Sequence, residues 1–249
     1  MPAFTALLIG ALLLPAAPSS FAPEYVALGD SYAAGVGTPG SSGPCGQSPQ
    51  AYPSLYAARQ NLPVVHDEAC TGASTADVVK DQLGDLTPGT SLVSVTVGGT
   101  DIGFSDVMTT CVIGSDSACL DKVHQAEGVI DGPLGGDLDR MFAAIRAKAP
   151  TAHIVVLGYP HVVEAGGACS LSSTKRQALN EGSDRLAAVT QARTAHAGAD
   201  FRDARPAFAG HGYCGGDPWI NGVSLLDIAG SFHPNAAGQR EGYLPLLAG

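Results

Sequence analysis

The sequence predicts an α/β fold, a parallel sheet with helices on both faces. Three observations carry this. Short, β-branched apolar runs alternate with longer helical patterns along the chain. The 249 residues suffice for one sizeable core, and no linker interrupts the alternation. Hydrophobic residues make up 45% and charged residues only 14%, a balance that argues against disorder.

Each element has its own signal. Residues 25–29, Tyr-Val-Ala-Leu-Gly, read as a first strand that stops at Asp30-Ser31. Residues 63–69 form a second, and 91–97, rich in β-branched side chains and ended by Gly98-Gly99, a third. Residues 153–158 form a fourth, halted by Tyr159-Pro160, and 199–203 a weaker fifth. Leu138, Met141, Phe142 and Ile145 share one helical face, which predicts a helix over 137–149. A long Ala-rich helix covers 173–197, and a last one starts near Pro234-Asn235 and runs toward Leu247. Ligands of open parallel sheets sit beyond the carboxyl ends of strands. That rule selects Asp30-Ser31, residues 69–72 and residues 98–101, all on one edge.

The net charge is −10, and Lys and Arg nowhere cluster, which excludes a phosphate-backbone partner. Residues 1–22 hold an apolar run followed by small residues and resemble a secretory signal peptide. Ser20-Phe21-Ala22 offers a cleavage site, although no basic residue precedes the run and Pro23 follows the cut. The run is too short to span a membrane. Residues 23–249 are then a single secreted domain. Six cysteines, Cys45, Cys70, Cys111, Cys119, Cys169 and Cys214, agree with export and match no zinc pattern. Their pairing is open at this level. Cys111 and Cys119 flank a short Gly/Ser/Asp loop that a local staple would close.

Serine is a weak nucleophile until a base removes its proton, and a tetrahedral intermediate needs donors aimed at its oxyanion. Gly29-Asp30-Ser31-Tyr32 sets a serine at a strand end. Its own amide and that of Gly72, which lacks a side chain, can face the cleft. Ser231-Phe232-His233-Pro234-Asn235 puts an imidazole just before a helix.

These blocks, with Cys-Thr-Gly-Ala around Gly72 and Gly98-Gly99-Thr100-Asp101, resemble in order the four blocks of the SGNH (GDSL-type) hydrolases. The likeness is to their secreted actinobacterial lipase and phospholipase branch. It implies a three-layer, flavodoxin-like α/β/α sandwich of about five parallel strands in order 2-1-3-4-5, and cysteines paired in sequence order. It makes Ser31 the nucleophile, His233 the base, and Ser31, Gly72 and residue 100 the oxyanion donors. It implies hydrolysis of glycerides, phospholipids or simple fatty esters by a monomer, without metal or cofactor.

Two departures stand out. The family has Asn where this chain has Thr100, and often Asp where it has Gly230. We therefore expect the carbonyl of Ser231 or Gly230 to orient the imidazole, with Asp227, the only nearby carboxylate, as the alternative. Two further readings are open: a weakly active or non-catalytic binding protein, because of Thr100, and a carbohydrate esterase. Gly35 to Gly40 matches a dinucleotide G-x-G-x-x-G, but Pro39 and the absence of a following helix argue against that use. The remaining histidines are dispersed and read as surface or satisfied core residues. Trp219 reads equally as an acyl-pocket or a core aromatic. Asp30 and Asp101 read as orienting carboxylates.

Overall fold

A computed structural model describes residues 23–224 and 227–249. The signal-peptide reading of residues 1–22 lies outside the described residues.

Five strands, β1 (Glu24–Gly29), β2 (Val64–Asp67), β3 (Thr90–Thr96), β4 (His153–Leu157) and β5 (Asp200–Arg202), form one parallel sheet in order β2-β1-β3-β4-β5. Strand alternation divides the core into two layers. Tyr25 and Ala27 of β1 and Val155 and Leu157 of β4 face one cluster. Val26, Leu28, Ile154 and Val156 face the other.

Helices cover both faces: α1 (Ser31–Ala34), α2 (Tyr52–Gln60), α3 (Thr75–Asp77), α4 (Phe104–Ile113), α5 (Asp116–Asp131), α6 (Leu134–Lys148), α7 (Ser173–His196), α8 (Ala204–Ala207) and α9 (Leu244–Ala248). The periodic residues Leu138, Met141, Phe142 and Ile145 of α6 are all buried against the second cluster. The last helix begins after Asn235, whose side-chain oxygen accepts from the amides of Ala237 and Gly238, and passes through a π-helical stretch (Gly238–Tyr243) into α9.

Three disulfides, Cys45–Cys70, Cys111–Cys119 and Cys169–Cys214, pair the cysteines in sequence order. The stretch read as a loop between Cys111 and Cys119 is a corner between two helices. Gly114 ends α4 and Ser115 caps α5, so the second bridge clamps one helix end to the next helix start. The first joins the Gly-rich loop after α1 to the segment after β2 that carries Gly72. No helix among the described residues is long and apolar enough to cross a membrane.

Candidate active site

The carboxyl edges of β1, β2 and β3 converge as the strand-end rule requires, and the C-terminal segment closes over them. Asp30, buried at the end of β1, accepts from the Tyr32 amide and so caps α1, leaving Ser31 as the first helical residue. Ser31 therefore does not serve as the cap. Its Oγ lies 2.7 Å from His233 Nε2.

His233 Nδ1 lies 3.1 Å from the Ser231 carbonyl. A carbonyl only accepts, so Nδ1 carries the proton and Nε2 is left to accept from the serine. The Gly230 carbonyl is otherwise engaged, receiving the His233 amide and Asn221 Nδ2, each at 3.2 Å. Asp227 turns toward the loop rather than the ring, with Oδ1 accepting from the Gly230 amide at 2.9 Å. A Cβ on residue 230 would stand 2.2 Å from Asp227 Oδ2, so glycine makes room for this carboxylate. Burial holds the His233 pKa below its ordinary value; the Ser231 carbonyl and the Asp227 charge oppose the shift.

Gly72 sits in a turn with φ +76 and nothing near its missing Cβ, so its conformation, rather than crowding, calls for glycine. The amides of Cys70, Thr71 and Ala73 donate to carbonyls of Gly29, Cys45 and Cys70. Those of Gly72 and Ser31 donate to no protein acceptor among the described residues. Thr100 is exposed in the turn after β3, its carbonyl accepting from the Gly103 amide. Asp101 ties the third block to the start of α3, just after the second block, by accepting from the Thr75 amide and hydroxyl.

Several supports carried no sequence signal. Tyr32 packs its ring 5.1 Å from the imidazole and donates its hydroxyl to the Phe232 carbonyl at 2.7 Å, pinning a residue at φ +61 beside the histidine. Tyr159 accepts from the Gly99 amide at 2.9 Å and donates to Asp30 Oδ2. Burial pushes the Asp30 carboxyl up to about 7, against the Tyr159 hydrogen bond. Asn221 Nδ2 also donates to the Gly37 carbonyl at 2.8 Å. A Cβ on Gly37 would meet His233 Cβ at 2.9 Å, so the Gly-rich loop packs against the base of the His233 side chain.

A cleft of about 360 Å³ opens at His233, walled by Phe104, Met108, Val112 and Phe232. Trp219 is not among its lining residues; it stacks on His211 with ring centroids 3.6 Å apart and meets Phe208 edge-on. Away from the site, His66, Glu68 and Asp85 bring ligand atoms within 4.8 Å of one another. His66 is already engaged there, 2.9 Å from Asp85.

Residues 27–241 match the GDSL-like Lipase/Acylhydrolase family. The chain is 48% identical over 248 residues to Lipase 1 of Streptomyces coelicolor, covering 98% of this chain and 92% of that protein. The crystal structure of phospholipase A1 from Streptomyces albidoflavus NA297 superposes with a TM-score of 0.89 at 45% identity, covering 92% of this chain and 99% of that one. The extracellular lipase of Streptomyces rimosus gives a TM-score of 0.88 at 44% identity, over 91% and 99%. The fold, the order of the four blocks and these matches together show that the chain belongs to the GDSL-like lipase/acylhydrolase family of ester hydrolases.

Proposed function

We propose that this chain hydrolyses the carboxylic esters of lipids through an acyl-enzyme in which Ser31 is the nucleophile and His233 the general base. The observation that carries the reading is the 2.7 Å contact between Ser31 Oγ and an imidazole whose other nitrogen faces a carbonyl. The serine proton passes to Nε2 as Oγ attacks the ester carbonyl carbon. The amides of Ser31 and Gly72 receive the developing oxyanion, with the Thr100 hydroxyl as a third donor. Collapse breaks the ester C–O bond, and Nε2–H protonates the departing alkoxide. Water, deprotonated by the same nitrogen, then releases the carboxylic acid and restores the serine.

The acyl chain lies against Phe104, Met108, Val112 and Phe232, which makes medium or long chains of glycerides or phospholipids the substrates. The similarity to a phospholipase A1 of Streptomyces albidoflavus and to Streptomyces lipases supports this class. The protein works outside the cell, a reading supported by three disulfides and by the similarity to an extracellular lipase of Streptomyces rimosus. The dyad and both oxyanion amides come from one chain, so a monomer suffices for this chemistry.

A p-nitrophenyl ester series from acetate to palmitate, run on wild type and Ser31→Ala, tests the proposal. Hydrolysis lost in Ser31→Ala and rising with chain length is expected. Equal inertness of both proteins on every ester would sink it.

A further inference from the structure

Among the described residues, five large apolar side chains stand exposed: Val65, Val79, Ile113, Val223 and Ile228. Three of them gather at the mouth of the cleft that leads to His233. Ile113 is 81% exposed, Ile228 74% and Val223 48%. They come from distant parts of the chain, the end of α4 and the segment before His233, so the fold assembles this rim.

The rim is rigid on one side. Ile113 is the last residue of α4, directly before Gly114. The Cys111–Cys119 bridge clamps that corner, and the buried Lys175 donates Nζ to the carbonyls of Cys111 at 2.8 Å and Gly114 at 2.7 Å. A fixed isoleucine held out in water has no partner among the described residues, and clustered exposed apolar side chains mark an interaction surface. Among the described residues lining the cleft none is Lys, Arg, Asp or Glu, and the whole chain carries a net charge of −10. An anionic surface is thereby disfavoured.

We infer that Ile113, Val223 and Ile228 dock this protein on an electrically neutral lipid surface, with the mouth of the ester-cleaving cleft pressed against it. The purpose assigned to the patch rests on the proposed function, since docking delivers an ester directly to Ser31; the docking itself is measurable without turnover. Continuity of the rim with the reactive cleft, and its lack of charge, select a lipid surface over a second protein.

Flotation with phosphatidylcholine vesicles tests this in a Ser31→Ala background, which leaves the lipid intact. Binding is expected, weakened about tenfold or more for each of Ile113→Ser and Ile228→Ser. With Ser31 restored, the Ile113→Ser/Ile228→Ser double variant should hydrolyse dispersed p-nitrophenyl acetate within about twofold of wild type and lose activity on vesicles. Unchanged vesicle binding, tighter binding to phosphatidylglycerol, or an equal loss on the soluble ester would each overturn the inference. So would a dimer that the double variant dissolves while vesicles go unbound. Inertness of the Ser31 protein toward every ester would sink the catalytic reading alone, because the flotation result stands independently.

Discussion

His233 Nδ1 lies 3.1 Å from the carbonyl oxygen of Ser231, two residues before it. The backbone thus performs the orienting half of a carboxylate's role without supplying a charge to stabilise the imidazolium. Asp227→Asn, which removes the nearby charge and keeps an acceptor for the Gly230 amide, should therefore change kcat/KM by less than about fivefold, because that charge acts from beyond hydrogen-bonding reach. His233→Ala should cost about 1,000-fold or more. Steady-state kinetics on one soluble ester compares them; a loss in Asp227→Asn as deep as in His233→Ala would make Asp227 the true partner.

The acid limb of the rate profile reports the same imidazole. Burial disfavours the charged form, so its pKa lies below the ordinary 6.5. The base must be neutral to accept the serine proton. Activity should persist as pH falls through 6.5 and be lost only at lower pH, with kcat/KM at half its plateau below 6.5. A midpoint above 6.5 would contradict the burial argument.

Thr100 stands exposed at the position where the resemblance to the SGNH blocks leads one to expect Asn. An Asn amide projects farther than a threonine hydroxyl, and one well-placed oxyanion donor is worth about 100-fold or more in rate. Thr100→Asn should raise kcat by about tenfold with KM nearly unchanged, and packing at an exposed position should not suffer. An unchanged or lower kcat refutes this account of the third donor.

Tyr32→Phe removes the donor that holds the Phe232 carbonyl at 2.7 Å inside the protein. Stability should fall by about 1–2 kcal/mol in urea unfolding. The histidine should also be held less firmly, lowering kcat more than it changes KM. Full activity in Tyr32→Phe would show that the imidazole needs no such anchor.

Asp30 gives a stability prediction with a definite sign. Its carboxyl is raised to about 7 in the fold, against about 3.9 when unfolded. Its contribution is complete below the unfolded value and is lost as pH rises through 7, where the buried group must ionise. Asp30→Asn keeps the acceptor for the Tyr32 amide and does not titrate. The Tm of wild type relative to this variant should fall between pH 5 and 8; a constant gap would refute the shift.

Much of the frame was legible along the chain. The β-branched run over Thr90–Thr96 and the one-faced residues Leu138, Met141, Phe142 and Ile145 declare their elements locally, because periodic burial needs no knowledge of the partner. Helix α5 escaped notice although Cys119, Val123, Ala126 and Ile130 keep helical spacing. Its buried face is built partly of small residues, which blurs the contrast with the exposed side.

Sequence alone singled out the proposed reacting pair, since Ser31 and His233 each stand in a local motif whose chemistry is read from residue type and order. Tertiary structure decided their support. The choice of Ser231's carbonyl over Gly230's, the turning away of Asp227, and the anchors Tyr32, Tyr159 and Asn221 all depend on how loops meet in space. Tyr32 and Phe232 are 200 residues apart, Asn221 and Gly37 184, and Tyr159 and Asp30 129. Hydrogen bonds between groups so distant in sequence, two to backbone carbonyls and one to a carboxylate, leave no periodic trace, because nothing local marks the partner. The gathering of Ile113, Val223 and Ile228 at one cleft mouth is of the same kind. Each is an ordinary apolar residue in sequence, and only folding leaves the three together in water.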